Sequence, residues 1–187
     1  MLHLKIIIAS TRPGRKGIIV GNWFVDFAKE NSDFDIEVLD LKKINLPFMD
    51  EEEHPKLGNY KNEHTLKWSK KIDEADAFIV VTPEYNYGMP ASLKNALDYL
   101  NKEWYAKPMG FVSYGGISAG TRSVQHIKLP VTTLGMMPLP EAVNIPFVAE
   151  FIKDGKFHPN EITEKAAKTL LSKVKDWAVA LKTLREK

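Results

Sequence analysis

Apolar positions along this chain alternate between short uninterrupted runs and longer segments of helical spacing. Residues 77–81 are all apolar, and residues 4–9 are apolar apart from Lys5; both runs are rich in Ile or Val, which is typical of strands buried on both faces of a parallel sheet. Residues 34–41 alternate between apolar and polar positions, and residues 108–114 form a fourth candidate strand. A fifth, over residues 137–143, contains two prolines and is therefore predicted to be an edge strand or a bent one.

Each candidate strand is followed by a segment in which apolar residues recur at helical spacing. Helices are predicted from residue 18, over residues 63–75, 91–100 and 118–134, and from an N-cap at Asn160. Strict alternation of strand and helix predicts an α/β fold with a five-stranded parallel sheet and helices on both faces. The three ligand-like loops described below, after strands 1, 3 and 4, favour a flavodoxin-like three-layer sandwich with strand order 2-1-3-4-5.

The chain contains two segments outside this regular alternation. Residues 46–62 are polar and are interpreted as a long connection, of a kind that is often functional or mobile. Residues 147–157 are interpreted as a small excursion around an Asp-Gly turn. Neither segment is a repeat or a second domain, so residues 1–187 are predicted to form a single domain.

Composition excludes several classes of function. The net charge is +2, from 26 basic and 24 acidic residues, so no global field attracts nucleic acid or an acidic membrane surface. The absence of cysteine excludes disulfides, thiolate catalysis and cysteine metal sites. Apolar runs are too short to span a membrane, and residues 2–9 lead into a loop rather than a cleavage site. We therefore expect a cytoplasmic protein.

Loop one, residues 10–17, joins the first strand to a helix N-terminus, where free backbone N–H groups favour an anion. Ser10 and Thr11 add hydroxyl groups, and Arg12, Arg15 and Lys16 add positive charge that can bind phosphate. The loop matches neither the dinucleotide nor the nucleoside triphosphate pattern, which favours a single phosphate monoester. The alternative is a solvated basic turn.

Loop two, residues 82–90, reads Thr-Pro-Glu-Tyr-Asn-Tyr-Gly-Met-Pro and follows the third strand. Rings at Tyr85 and Tyr87 suit the face of a flat conjugated ligand, whose rim could partner Glu84 and Asn86. The alternative is a Pro/Gly-rich turn with both tyrosines packed in the core.

Loop three, residues 113–120, carries the pair Gly115-Gly116, which allows close approach of backbone to a ligand and permits positive φ. The alternative is a simple tight turn. The five histidines show no metal-ligand spacing, so no metal site is predicted. No nucleophile motif or pair of catalytic acids is present.

Taken together, the loops resemble the NAD(P)H-dependent FMN reductase family of flavodoxin-like quinone and azo reductases. The resemblance rests on residues 10–15, on residues 82–86 with the Leu-Lys-Asn-Ala-Leu-Asp run at 93–98, and on residues 114–116, and it spans roughly residues 4 to 145. The chain departs from the family pattern at Ala9, where members often have glycine, and at Gly17, where many have a second serine.

This resemblance implies noncovalently bound FMN, with NAD(P)H as the electron donor and a quinone, azo compound or similar small molecule as the acceptor. The implied phosphate contacts are Ser10, Arg12, Arg15, Gly17 and Ile18. The implied border of the isoalloxazine is Pro83, Glu84, Tyr85, Asn86 and Tyr87. The implied contacts on its other side are Ser113, Tyr114, Gly115 and Gly116.

The resemblance also implies chemistry centred on the flavin, with no catalytic side chain and with donor and acceptor sharing one site in a ping-pong cycle. A homodimer or homotetramer is expected.

Two other functions remain open at this point. An electron-carrier flavodoxin is usually strongly acidic and has no arginine in its phosphate loop, which disagrees with the charge of +2 and with Arg12 and Arg15. An FMN-binding interaction or sensor protein would bind the cofactor without significant turnover. A phosphatase of similar topology is excluded because it needs a nucleophilic cysteine.

Overall fold

A computed structural model describes residues 1–185 and contains one central five-stranded sheet. Its strands are β1 (His3–Ile8), β2 (Asp35–Asp40), β3 (Ala77–Pro83), β4 (Pro108–Tyr114) and β5 (Met137–Ile145). All pairs are parallel and the order is β2-β1-β3-β4-β5. The predicted fold class and strand order are confirmed.

The helices lie on both faces of this sheet. They are α1 (Gly17–Asn31), α2 (Leu41–Ile44), α3 (Glu63–Asp73), α4 (Ala91–Asp98), α5 (Thr121–Thr133) and α6 (Glu161–Arg185). Short 3-10 turns occupy Pro55–Leu57, Lys102–Trp104 and Val148–Phe151, and a small hairpin is formed by β6 (Ile152–Lys153) and β7 (Lys156–Phe157). The hairpin confirms the excursion predicted around the Asp-Gly turn.

Two separate apolar clusters make the structure a three-layer sandwich. One cluster packs α1 and α6 against the sheet, and the other packs α3, α4 and α5 against the opposite face. The central strand β3 is buried at every position because it has paired neighbours on both sides and helices on both faces.

The strand register brings the three predicted ligand loops together at the carboxyl ends of the strands. β3 and β4 end at the paired residues Pro83 and Tyr114, and β1 ends at Ile8, which pairs with Val81 two residues before the end of β3. The Ala9 N–H continues the ladder to the Val81 carbonyl at 3.0 Å. Loops one, two and three therefore begin side by side.

The start of α5 and the presence of the short helix α2 differ from the sequence prediction. α5 begins at Thr121 rather than at residue 118, because Ala119 and Gly120 have φ values of 53° and 80°, which an α-helix cannot include. The short helix α2 was not predicted. Asn160 caps α6 as predicted, its side-chain oxygen accepting from the Thr163 N–H at 2.9 Å.

The prolines of β5 produce the predicted bend in the edge strand. Met109 pairs with Pro138, whereas Phe111 pairs with Ala142, so β5 accommodates extra residues in a bulge. Such a bulge interrupts the ladder at an outer strand, where a proline costs least.

The long connection over residues 46–62 is tied to α4. The Asn95 side chain donates to the Pro47 carbonyl at 2.7 Å and accepts from the Met49 N–H at 3.0 Å. The Tyr99 hydroxyl donates to the Asp50 carboxylate at 3.0 Å. Asn95 of the Leu-Lys-Asn-Ala-Leu-Asp run thus has a structural role. No helix within residues 1–185 combines the length and apolarity required to cross a bilayer.

Lys107 is a buried cation just before β4, at the end of the sheet opposite the three loops. Its side chain is tied to the end of α3, where Nζ donates to the carbonyls of Ile72 and Asp73 at 2.8 and 2.9 Å. Burial lowers the pKa of Lys107 from 10.5 to about 8, while Arg185 lowers it further and nearby carboxylates, Asp73 first, oppose the shift. The folded protein therefore releases this proton more readily than the unfolded chain.

We expect this difference to make part of the folding stability rise with pH. Between about pH 7.5 and 9.5 the unfolded chain keeps a proton on Lys107 that the folded protein loses, so the wild-type free energy of unfolding should gain about 2 kcal/mol from this group. Urea denaturation of wild type and Lys107→Met across this range measures the effect. The variant should lack the gain; equal slopes for the two proteins would contradict the assigned pKa.

Candidate cofactor site

Loop one borders a cavity of about 220 Å³ at the end of β1. The residues that line it come from loop one, from loop two and from the end of β4: Ser10, Arg12, Gly14, Arg15, Lys16, Pro83, Tyr85 and Tyr114. A cavity of this size, bordered by cations and hydroxyl groups, fits a phosphate group better than a ring system.

Three hydroxyl groups converge at this cavity. The Ser10 Oγ and the Tyr85 hydroxyl are 2.7 Å apart and share a hydrogen bond. The Tyr114 hydroxyl lies over Gly17, where an added Cβ would be only 2.4 Å away. Burial raises the pKa of Tyr114, so this phenol stays protonated and can donate a hydrogen bond. The resemblance associated Tyr85 and Tyr114 with the ring of FMN, and the structure shows that both side chains also line the small cavity beside loop one.

Arg15 is committed to an ion pair with Asp40 at the end of β2. Its two terminal nitrogens lie 2.5 and 2.6 Å from the two Asp40 carboxylate oxygens, and one also donates to the Ser10 carbonyl at 2.6 Å. The hydrogen bond to Asp40 raises the pKa of Arg15. Burial alone would raise the pKa of Asp40, but the hydrogen bonds and charge of Arg15 outweigh it, so the pKa of Asp40 is lowered. Arg15 therefore lines the cavity while it fixes the shape of loop one. Asp40 was missed by sequence reasoning, although it ends the strand beside β1.

Arg12 and Lys16 remain available for an anion. Within residues 1–185 neither side chain has an ion-pair partner. Helix α1 begins beside them with no side-chain cap and no acid in its first turn, so its first N–H groups offer a positive end to the cavity. The Ile18 side chain lines a different cavity, beside Val38 and Ile44; only its backbone can serve the predicted phosphate contact.

Loop two forms a tight hairpin rather than a core-packed turn. Tyr85 and Gly88 exchange backbone hydrogen bonds of 3.0 and 2.9 Å around Asn86 and Tyr87. Both central residues have positive φ, 49° and 69°, and the Tyr87 side chain lies on the surface, 69% exposed. The alternative in which both tyrosines are core residues is therefore wrong for Tyr87.

Glu84 finds its partners within the protein. One carboxylate oxygen accepts from the Ser118 hydroxyl at 3.0 Å and the Arg122 N–H at 3.2 Å, and the other accepts from Arg122 Nε at 2.6 Å. The guanidinium of Arg122 also lies 3.7 Å from the Tyr87 ring centroid. The partner that a ligand rim could have supplied to Glu84 is therefore supplied by the protein itself. Arg122 was missed because its pairing depends on the positions of two loops.

Loop three provides an open backbone surface next to loop two. The Ser113 hydroxyl is buried, 2.8 Å from the Ala119 carbonyl and 2.9 Å from the Asn144 side-chain oxygen. A Cβ added at Gly116 would meet no atom within 4 Å, so a flat ligand can approach the backbone there. Positive φ was expected at Gly115 or Gly116, but it occurs at Ala119 and Gly120.

The structure therefore brings all three predicted loops to one site, with a phosphate-sized cavity at one end and exposed backbone at the other. Within residues 1–185 no cluster of three or more histidine, cysteine or acidic residues could hold a metal. Comparison with known proteins matches residues 2–150 to the model described as NADPH-dependent FMN reductase.

The chain belongs to the NADPH-dependent FMN reductase family. The predicted resemblance is confirmed, and so is the expected cofactor class of FMN with NAD(P)H as donor. An NAD(P)H-dependent FMN reductase from Nectria sp is 34% identical over 155 residues, 80% of this chain and 77% of the relative.

Other members of the FMN reductase family align over shorter stretches. An NAD(P)H-dependent FMN reductase from Schizosaccharomyces pombe is 44% identical over 117 residues, 62% of this chain and 58% of that protein. The chain thus matches little more than half of that relative's length. Further relatives carry the names NAD(P)H:quinone oxidoreductase and FMN-dependent NADPH-azoreductase.

The fold of this chain is shared along almost its whole length by a solved structure. It is FerB, a flavoenzyme NAD(P)H:(acceptor) oxidoreductase from Paracoccus denitrificans, with a TM-score of 0.74 and 22% identity, covering 96% of this chain and 98% of that one. At this identity the match establishes the shared flavodoxin-like architecture.

The close approach between helix α1 and Tyr114 generates a test of the cavity's construction. We expect Gly17→Ala to lower the free energy of unfolding by about 1–3 kcal/mol, because the new Cβ would overlap the Tyr114 hydroxyl. In a Tyr114→Phe background the nearest remaining ring atom is 3.3 Å away, so the same substitution should cost much less. Urea denaturation of the four proteins gives the coupling between the two positions. An equal loss in both backgrounds would show that the hydroxyl does not lie over Gly17.

Proposed function

We propose that this protein is an FMN-dependent NAD(P)H oxidoreductase that passes two electrons to quinones, azo compounds or similar small acceptors in a ping-pong cycle. The observation that carries this proposal is the phosphate-sized cavity beside the uncapped start of α1, at the same end of the sheet as loops two and three. Arg12 and Lys16 border this cavity and have no ion-pair partner among residues 1–185. The names of the relatives support the classes of donor and acceptor.

The cavity binds the FMN phosphate in this proposal. Arg12 supplies a charge-assisted hydrogen bond, the first N–H groups of α1 supply neutral donors, and Tyr114 supplies a phenolic one. Arg15 acts at the same cavity chiefly by holding loop one against Asp40. Of the predicted phosphate contacts, Ser10 lies at the cavity wall, and Gly17 and Ile18 contribute through backbone.

The isoalloxazine lies between loops two and three in this proposal. Pro83, Tyr85, Asn86 and Tyr87 border one side, and the open backbone at Gly115 and Gly116 borders the other, with Glu84 acting inside the protein. FMN held there would supply the two-electron redox chemistry between the nicotinamide and the acceptor. The protein has to orient the ring and leave one of its faces accessible, so that donor and acceptor use the same pocket in turn. These tasks need no nucleophilic side chain.

The quaternary structure and location follow the family resemblance. We propose a homodimer or homotetramer in the cytoplasm. Exposed apolar side chains near the site, Ile117 at 82% and Phe147 at 48% exposure, support self-association at this edge. Light scattering of the eluting protein after size-exclusion chromatography measures the oligomeric state.

Cofactor binding is the first test of this function. The purified protein should be yellow or become so when FMN is added, and it should bind FMN more tightly than FAD, because there is one phosphate cavity and no dinucleotide motif. Fluorescence titration with both flavins measures the preference. A protein that fails to bind FMN at micromolar concentration would remove the basis of the proposal. Binding of FMN without steady consumption of NAD(P)H with any acceptor would favour the electron-carrier or sensor alternative.

The unpaired cation of loop one provides a sharper test. Arg12→Ala should weaken FMN binding by about 1.5–3 kcal/mol, the scale of a charge-assisted hydrogen bond, while turnover at saturating FMN should change less. Isothermal titration calorimetry measures the affinity. Lys29→Ala removes an equivalent positive charge at the other end of α1 and should leave FMN binding unchanged. Equal effects of the two substitutions would place the phosphate elsewhere.

Kinetics test the single shared pocket. If donor and acceptor take turns at the same open face, initial rates against NAD(P)H at several fixed quinone concentrations should give parallel double-reciprocal lines. High concentrations of the acceptor should inhibit, because it competes with the donor for the same place. Converging lines would indicate a ternary complex and therefore two separate pockets.

A further inference from the structure

The tip of loop two adopts a conformation that its sequence does not favour. Asn86 and Tyr87 form the two-residue turn of a hairpin, and both have positive φ. Turns of this kind favour Asn followed by Gly, because both central residues are left-handed. Asn86 suits its position, but Tyr87 occupies the place where glycine is preferred. Two backbone hydrogen bonds between Tyr85 and Gly88 close the turn, and a contact to the Tyr87 side chain would offset the remaining strain.

Arg122, in the first turn of α5, makes that contact. Its guanidinium carbon lies 3.7 Å from the centre of the Tyr87 ring, close enough for stacking and a cation–π interaction. The ring is otherwise exposed, so this contact is a principal restraint on where the tip of loop two lies.

The Glu84 carboxylate fixes the position of the Arg122 guanidinium. Nε and a terminal nitrogen of Arg122 each lie 2.6 Å from one oxygen of the Glu84 carboxylate. The other oxygen accepts from Ser118 and from the backbone N–H of Arg122. The Glu84 side chain is only 7% exposed, whereas the Arg122 side chain is 41% exposed. The hydrogen bonds that both carboxylate oxygens accept hold Glu84 in place and make it a fixed anchor for the more exposed guanidinium. Loop two and the start of α5, which follows loop three, are thereby joined.

We propose that Arg122 is a positioning residue for the cofactor site: it clamps the strained Asn86–Tyr87 turn through Glu84 on one side and the Tyr87 ring on the other. It shapes the loop-two border of the site without contacting FMN. This inference rests on the proposed function for its link to FMN, whereas the clamp itself is a property of the chain alone.

The decisive experiment combines removal of the clamp with relief of the strain. Arg122→Met should raise the dissociation constant for FMN about tenfold, the size expected when a left-handed non-glycine residue loses its support. It should also change the visible circular dichroism of bound FMN. Tyr87→Gly creates the preferred turn sequence, so adding it to Arg122→Met should restore most of the affinity to that of Tyr87→Gly alone. A merely structural role of Arg122 in α5 would not be rescued by a change at Tyr87.

Two further variants separate charge from stacking. Arg122→Lys keeps a cation for Glu84 but loses the planar group over Tyr87, so its FMN affinity should lie between those of wild type and Arg122→Met. Lys128→Met removes another long cation from α5 and should bind FMN as wild type does. Full recovery in Arg122→Lys, or no rescue by Tyr87→Gly, would overturn the proposal.

An arm without cofactor distinguishes failure of the clamp from failure of the proposed function. In the FMN-free protein, the amide resonances of residues 86–88 should shift and broaden in Arg122→Met, and should sharpen again when Tyr87→Gly is added. If wild type does not bind FMN but these changes occur, the clamp stands and the proposed function fails. If the resonances of wild type and Arg122→Met coincide, the clamp is refuted whatever the protein binds.

Discussion

The parallel register of β1, β3 and β4 is the constraint on which the rest of the site depends. Parallel pairing sets where each strand stops relative to its neighbours, and the pairs Ile8–Val81 and Val81–Val112 place three chain reversals side by side. Loops that are far apart in sequence then share one surface. A shift of register by one residue would turn every side chain of a strand to the other face and would also displace its loop.

Within that frame, loop one divides its positive charges between two tasks. Arg15 is buried in an ion pair with Asp40, which fixes its position. Arg12 lines the cavity and has no ion-pair partner within the described part of the chain. A flexible loop with two free arginines would lose conformational entropy when an anion binds. Here part of that cost is met on folding, because the Arg15 ion pair orders the loop beforehand.

Much of the architecture could be predicted from sequence because it depends on local pattern. Short apolar runs identified the buried strands. Asn160 identified the start of α6 because its capping hydrogen bond joins residues only three positions apart in the sequence. The loops were correctly placed at one site because topology alone determines which strand ends coincide. The start of α5 was wrong because two left-handed residues, Ala119 and Gly120, are fixed by packing against β4 rather than by propensity. Asp40 and Arg122 could not be assigned because each acts through a partner from another strand–loop unit, and such pairs are visible only in three dimensions.

The space above Gly17 links two distant positions of the chain. The helix offers no side chain there, and the Tyr114 phenol from β4 occupies the room that results. A side chain at position 17 and a phenol at position 114 therefore compete for the same space. Substitutions at the two positions are coupled, because a side chain added on the helix is accommodated best when the hydroxyl from the sheet is absent.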